Sequence, residues 1–305
     1  MPKWILYTLA TVLLWGVWSV VCKAVSTALP DWQLQVISLI GVLPIVIVLG
    51  WMVYQSNVAL DKRMGAISLA AGLLGCLGNL ACFRAMSEGG KALSVIPLTS
   101  LYPITTVILA MLFLKERPSL IQTLGIGLSL LAIWLFNVAS QSELWTSWLL
   151  FALLPIVCWG VGGFIQKLAT NRMTGEQCAF TFLIGFLPMA FMAFLKDGNW
   201  TEISASTWGM AVFSGFLFAL GNLTVILAYR NDGRAVIVTP AAGLYMLVTV
   251  PLAVLLLHES ITWREGQAII VSVLAVIALC YEGPPRTNAA KLATLLLLAN
   301  GAQSL

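Results

Sequence analysis

The 305-residue chain is 60% hydrophobic and 9% charged, against about 45–50% and about 25% in ordinary soluble domains, which excludes a water-soluble globular fold. Its net charge of +4 would suit an anionic partner in a soluble protein. Here the basic residues cluster at the ends of apolar runs, where they snorkel and set orientation, so nucleic-acid binding is not indicated.

An apolar helix needs about 20 residues to cross a hydrocarbon core about 30 Å thick. Taken in chain order, the apolar runs predict spans at 4–28, 32–54, 64–86, 91–114 and 119–138, then 145–169, 176–195, 206–229, 234–257 and 262–281. The first run is too long for a signal-peptide core and lacks a small-residue cleavage site, so it reads as an uncleaved helix. Asp61-Lys62-Arg63, Ser87-Glu88-Gly89-Gly90, Lys115-Glu116-Arg117-Pro118 and Asn231-Asp232-Gly233 read as turns. The tail from 284 to 305 holds an apolar stretch too short to span and is assigned no function.

Lysine and arginine alternate between loops. Lys3, Lys62, Arg63, Lys115, Arg117, Lys167, Arg172, Arg230, Arg234, Arg286 and Lys291 fall in one set, and Lys23, Arg84, Lys91, Lys196 and Arg264 in the other. The richer set marks the cytoplasmic side and predicts both termini there, in a plasma or bacterial inner membrane.

The chain repeats itself. A shift of 143 residues places Gly78-Asn79-Leu80 on Gly221-Asn222-Leu223, Pro97 on Pro240, Leu101-Tyr102 on Leu244-Tyr245 and Glu116 on Glu259, with seventeen identities over the 39 positions 78–116. A shift of 144 places Trp15-Gly16-Val17 on Trp159-Gly160-Val161 and Lys23 on Lys167. Apolar bias would align leucines, but not tryptophan, asparagine, proline and tyrosine. The predicted fold class is therefore all-α and integral to the membrane, ten transmembrane helices arranged as two inverted five-helix repeats. The boundaries are 1–140 and 141–283, with 284–305 as a tail. Five spans per half force opposite orientations, the arrangement that gives secondary transporters two interchangeable states around a midplane site.

Trp15-Gly16 and Trp159-Gly160 near the start of each half, Gly-Asn in the third span and Leu-Tyr-Pro…Leu-Lys-Glu-Arg from Leu101 to Arg117 resemble the EamA-type members of the drug/metabolite transporter superfamily. The second half carries His258-Glu259-Ser260 in place of Lys115-Glu116-Arg117. The resemblance covers about residues 4–281. It implies the ten-helix fold and transport, and leaves the solute open among amino acids, sugar phosphates, choline and other metabolites.

All twelve carboxylates lie at helix ends or in loops. A midplane acid would serve as proton relay or counter-charge to a cation, so its absence argues against proton-driven cation exporters, with Glu116 and Glu259 left as routes for proton coupling. Asn79 and Asn222 sit inside matched spans, either as interhelical hydrogen bonds or as polar arms on a solute. Tyr102 and Tyr245 lie mid-span with Thr106 and Thr249 one turn on, and are read as lining a cavity. Trp15, Ser19 and Lys23 share a face with Trp18 and Cys22 beside them; Trp159, Gly163 and Lys167 repeat it with Gln166 alongside. Those tryptophans and lysines read either as interfacial anchors or as a closing aromatic pair with cationic mouths. Pro97 and Pro240 each remove a helical hydrogen bond, and are read either as breaks lining the site or as packing kinks. Gly72, Gly75 and Gly78 read as close-packing positions.

The leading expectation is a carrier of small polar metabolites, an exporter of amino acids or similar zwitterionic or anionic solutes, working by alternating access as monomer or homodimer in a lipid bilayer. A carrier of organic cations such as choline, caged by Trp15, Trp159, Tyr102 and Tyr245, is the alternative. An intramembrane enzyme is disfavoured because His258, the single histidine, has no nucleophile partner. No cofactor or metal is expected, since Cys22, Cys76, Cys82, Cys158, Cys178 and Cys280 all lie in apolar runs without ligand spacing.

Overall fold

A computed structural model describes residues 2–113, 119–139, 147–191, 200, 202–231, 233 and 235–281. The predicted turn at 115–118, Glu116 with it, the loop residues Lys196 and Arg234, and the tail lie outside the described residues. Every described regular element is helical: α1 (Lys3–Ser26), α2 (Asp31–Gln55), α3 (Lys62–Ser87), α4 (Ala92–Thr99), α5 (Pro103–Phe113) and α6 (Leu120–Ala139). There follow α7 (Ser147–Thr170), α8 (Gly175–Ile184), a 3₁₀ turn (Leu187–Phe191), α9 (Ala205–Arg230), α10 (Ala235–Gly243), α11 (Met246–Leu256) and α12 (Trp263–Cys280).

Among the described residues six stretches are long and apolar enough to cross a membrane: α1, α2, α3, α7, α9 and Val238–Leu256. The predicted spans at 119–138 and 262–281 form the single helices α6 and α12, whereas three others are broken. The run at 91–114 is divided into α4 and α5, 176–195 into α8 and the 3₁₀ turn, and 234–257 into α10 and α11. The outer faces are apolar, with Leu13, Ile47, Trp51 and Leu112 exposed, as hydrocarbon solvation requires and water would penalise.

The long helices pack by exchange between the first and second parts of the chain. A methyl group on Gly41 of α2 would strike the main chain of α9 at Val212 and Phe216, and one on Gly185 after α8 would strike α3 at Leu69 and Gly72. Gly215 likewise meets Ser38 O, and Gly72 meets Phe182 O. Each contact maps onto the other by the shifts of 143 and 144 found in the sequence. Small residues permit this approach because van der Waals packing, not hydrophobic exclusion, joins helices in lipid.

Polar groups gather at two ends of the bundle. At one, Arg84 pairs with Asp31 at 3.9 Å and Glu88 at 2.5 Å, and Lys91 pairs with Glu265 at 3.3 Å. At the other, Arg172 pairs with Asp61 at 3.9 Å and Arg230 Nη1 donates to Thr170 O at 3.5 Å. These ends match the two alternating sets of loops.

Candidate functional site

Helix α1 meets the broken segment α10–α11, and α7 meets the broken segment α4–α5. A methyl on Gly16 would strike Val248, and one on Gly160 would strike Thr105, the position 143 residues earlier. Thr249 Oγ1 donates to Gly16 O at 3.3 Å and lies 2.6 Å from Ser19 Oγ, while Thr106 Oγ1 donates to Gly160 O at 2.9 Å. The two threonines on the tyrosine faces are therefore committed to packing.

The breaks carry the tyrosines. Around 98–104 the main chain tightens to three-residue bonds, Tyr102 N donating to Thr99 O at 3.0 Å and Ile104 N to Leu101 O at 2.9 Å. Around 241–247, Tyr245 N donates to Ala242 O at 3.1 Å and Leu247 N to Leu244 O at 2.8 Å. Such three-residue winding connects the two helical pieces, and Tyr102 and Tyr245 within it line the cavity. Pro97 and Pro240 lie inside α4 and α10, upstream of the breaks, and neither is among the cavity wall residues; the tyrosines that follow them are.

Between these elements lies a cavity of about 50 Å³. A single water needs about 10–15 Å³ measured in the same way, so little unfilled space remains. Trp15 and Trp18 from α1, Tyr102, Trp159, Gly162, Gly163 and Gln166 from α7, and Tyr245 form much of the wall. Gly75, Phe182 and the α9 residues Phe218, Asn222, Val225 and Tyr229 complete it. None of these carries a charge.

The aromatic rings are paired across the halves. Trp15 meets Tyr245 edge to face at 6.0 Å and 81°, and Trp159 meets Tyr102 at 6.3 Å and 84°. Each indole lies on a glycine, Trp15 on Gly221 of α9 and Trp159 on Gly78 of α3. Trp18 packs on Phe218 at 5.5 Å and on Trp159 at 6.1 Å. Its counterpart by repeat is Gly162, so the matching side lacks this bulk. The wall consequently runs along α7 to Gln166 and along α9 to Tyr229, whereas the counterparts Cys22 and Met86 are sealed at 0% and 1% exposure.

Hydrogen bonds hold the tyrosines. Tyr102 Oη donates to Thr239 O at 3.1 Å, Tyr229 Oη lies 2.8 Å from Thr239 Oγ1, and Tyr245 Oη lies 3.3 Å from Thr99 Oγ1. The asparagines diverge. Asn222 lines the cavity and donates from Nδ2 to Phe218 O at 2.9 Å; Asn79 is buried away from the wall, its Oδ1 without a partner.

Lys23 and Lys167 are not wall residues. Lys23 Nζ donates to Met86 O at 3.0 Å and Gly90 O at 2.8 Å, and Lys167 Nζ to Gly233 O at 3.4 Å. These carbonyls lie where α3 and α9 end. Each of those ends is closed by a six-residue turn, Gly90 N to Ala85 O and Gly233 N to Ala228 O, both 3.0 Å. A cation at a helix C-terminus satisfies carbonyls that have no partner in the helix. Glu259 does the converse, its two oxygens each accepting at 2.9 Å from Ala92 N and Leu93 N at the start of α4.

Of the residues that the sequence singles out, Trp15, Trp18, Tyr102, Trp159, Asn222 and Tyr245 lie in the wall, with Gln166 from beside the Trp159–Lys167 face; Phe182, Phe218, Val225 and Tyr229 join them without a sequence signal. Among the described residues no group of three His, Cys, Asp or Glu side chains is placed to hold a metal.

Comparison with known proteins agrees with this architecture. The model of the EamA-like transporter family matches residues 2–138 and again 146–281. An uncharacterized protein of Methanocaldococcus jannaschii is 30% identical over 136 residues, 45% of this chain and 97% of that protein. A Lactiplantibacillus plantarum protein named for sugar uptake is 25% identical over 128 residues, 42% of this chain and 44% of its own length. An uncharacterized transporter of Archaeoglobus fulgidus is 23% identical over 225 residues, 73% of this chain and 78% of that one. A solved crystal structure shares the fold at a TM-score of 0.64 and 17% identity, over 90% of this chain and 94% of its own. Two family matches across nearly the whole length, on a bundle of long apolar helices, describe a multi-pass membrane transporter, and the chain belongs to the EamA-like transporter family.

Proposed function

We propose that the protein carries a small solute without net negative charge across the bilayer by alternating access, its ten crossings forming two inverted halves with both termini cytoplasmic. The observation that carries this reading is the exchanged pairing of Trp15 with Tyr245 and Trp159 with Tyr102 around an uncharged cavity. Matched contacts made by opposite halves suit two states of similar energy, because what opens one end has a counterpart that closes the other.

The wall shapes the solute class. An anion buried among aromatic rings without a cationic partner would bear the full desolvation penalty, and the ammonium of Lys23 is directed at main-chain carbonyls. Sugars or net-neutral amino acids with an apolar face fit better, stacking on the indoles. The relative named for sugar uptake supports this class. A second reading, an organic cation, is favoured by the cavity-lining rings of Trp15, Trp18 and Trp159, since such rings attract cations through the ring quadrupole.

Purified protein in liposomes should exchange a labelled solute from a panel of neutral sugars, neutral amino acids and quaternary ammonium compounds. Tyr102→Ala and Tyr245→Ala should each reduce that flux while leaving the protein folded. A panel without flux, under conditions where a reference carrier works, would overturn the reading.

A further inference from the structure

The wall contains one polar side chain with no structural employment. Gln166 is 4% exposed and lines the cavity, yet its amide makes no hydrogen bond to any described residue. Gln177, by contrast, is used fully by the fold: its Nε2 donates to Val58 O at 2.9 Å and its Oε1 accepts from Thr174 N at 3.2 Å. Nor is the Gln166 amide sealed in dry packing, as are Trp15 Nε1, Gln35 Oε1 and Asn79 Oδ1; it opens onto the cavity. A buried amide in lipid is costly without partners, and something entering the cavity can supply them.

A second group faces the same space. Asn222 spends its Nδ2 on Phe218 O, and its Oδ1 has no partner among the described residues. The hydroxyl of Tyr229 is already held by Thr239. The wall therefore offers two N–H donors and one acceptor from Gln166, and one acceptor from Asn222. By repeat, the counterpart of Gln166 is Cys22, a residue with no exposed surface. The unpartnered amide of the wall thus belongs to α7 alone, with no equivalent on α1.

We infer that Gln166 is the specificity-determining residue of the carrier. It binds a neutral head group that both donates and accepts hydrogen bonds, a carboxamide or hydroxyl, while the flat apolar body of the solute lies among Trp15, Trp18 and Trp159. A carboxylate head would find no cationic side chain in the wall. An ammonium head would leave the Gln166 donors unsatisfied. Both mismatches are costly in a dry site.

This assignment rests on the carrier reading above, and its test separates the two. Benzamide, benzoate and benzylammonium share one flat body and differ in head charge, and their binding to the full-length purified protein is read as thermal stabilisation. Wild type should bind benzamide most tightly. Gln166→Leu should weaken benzamide by roughly 10- to 100-fold in Kd, the loss expected when a buried polar group is left unpaired, and change benzylammonium by less than about threefold. Gln166→Glu should reverse the order in favour of benzylammonium. Gln166→Met, which keeps the length without the amide, gives the same information if the leucine variant does not fold. Equal weakening of all three probes, tighter wild-type binding of either charged probe, or no binding of any probe overturns the role of Gln166. In that last case the carrier reading still stands or falls by its own flux assay.

Discussion

Trp159 donates its indole N–H to the carbonyl oxygen of Gly75 at 3.3 Å, and the corresponding bond of the other half is missing. The matching carbonyl, Phe218 O, is taken by Asn222 Nδ2 at 2.9 Å, and Trp15 Nε1 is left buried without a partner. One acceptor per half is thus claimed by an indole on one side and by an amide on the other.

The two asparagines should respond in opposite ways to replacement by leucine. Asn222→Leu removes a made hydrogen bond, a loss of about 1 kcal/mol. Asn79→Leu removes an unpaired buried oxygen whose desolvation costs about 1–3 kcal/mol, so it should be neutral or stabilising. Thermal unfolding in detergent checks the order; a larger loss at Asn79 would contradict the assigned bonds.

Lys23→Met should lower stability by about 1.5–3 kcal/mol, the value of hydrogen bonds to a charged group. It should leave the ranking of solutes in a flux assay unchanged, because the ammonium is bonded to Met86 O and Gly90 O. A selective loss of anionic solutes would restore Lys23 to the transport path.

How far was this legible in the sequence? The paired tryptophans and tyrosines were, because rare residue types recurring at one spacing stand out against apolar bias. Phe182 and Phe218 were not, since a phenylalanine in an apolar run looks the same facing lipid or cavity. Gln166 was hidden by asymmetry, its repeat counterpart being cysteine. Pro97 and Pro240 mark the broken segments, but the breaks fall a few residues downstream, at the tyrosines, an offset that proline spacing does not reveal. The lysines had two readings, mouth or interface, and the structure supplies main-chain carbonyls as a third. That partner depends on how a turn folds back on α1 or α7, which residue spacing does not reveal.

Glu259→Gln should destabilise the start of α4, since an amide offers one acceptor where the carboxylate offers two to Ala92 N and Leu93 N. The loss is about 1–3 kcal/mol. The pH profile of flux should keep its wild-type shape, because the carboxylate caps a helix and is not a wall residue. A flattened profile in the variant would return Glu259 to proton coupling.

Glycines sort by what surrounds them. Alanine at Gly41, Gly72, Gly185 or Gly215 would place its methyl against main-chain atoms of another helix, which cannot move aside as a side chain can, and each should prevent assembly or strongly lower the melting temperature. Gly127 and Gly209 have open space at the same position. Alanine there should be tolerated or gain up to about 1 kcal/mol from helix propensity.

The exchanged glycine contacts also bear on biosynthesis. Helices α1 to α3 leave the ribosome before α7 to α9, yet the faces around Gly41 and Gly72 are shaped for partners that do not yet exist. The early helices must wait in the bilayer with narrow, lipid-filled grooves, and assembly completes when the later helices displace those acyl chains. Co-produced fragments divided near residue 143 should therefore reconstitute one particle, and either fragment alone should be degraded.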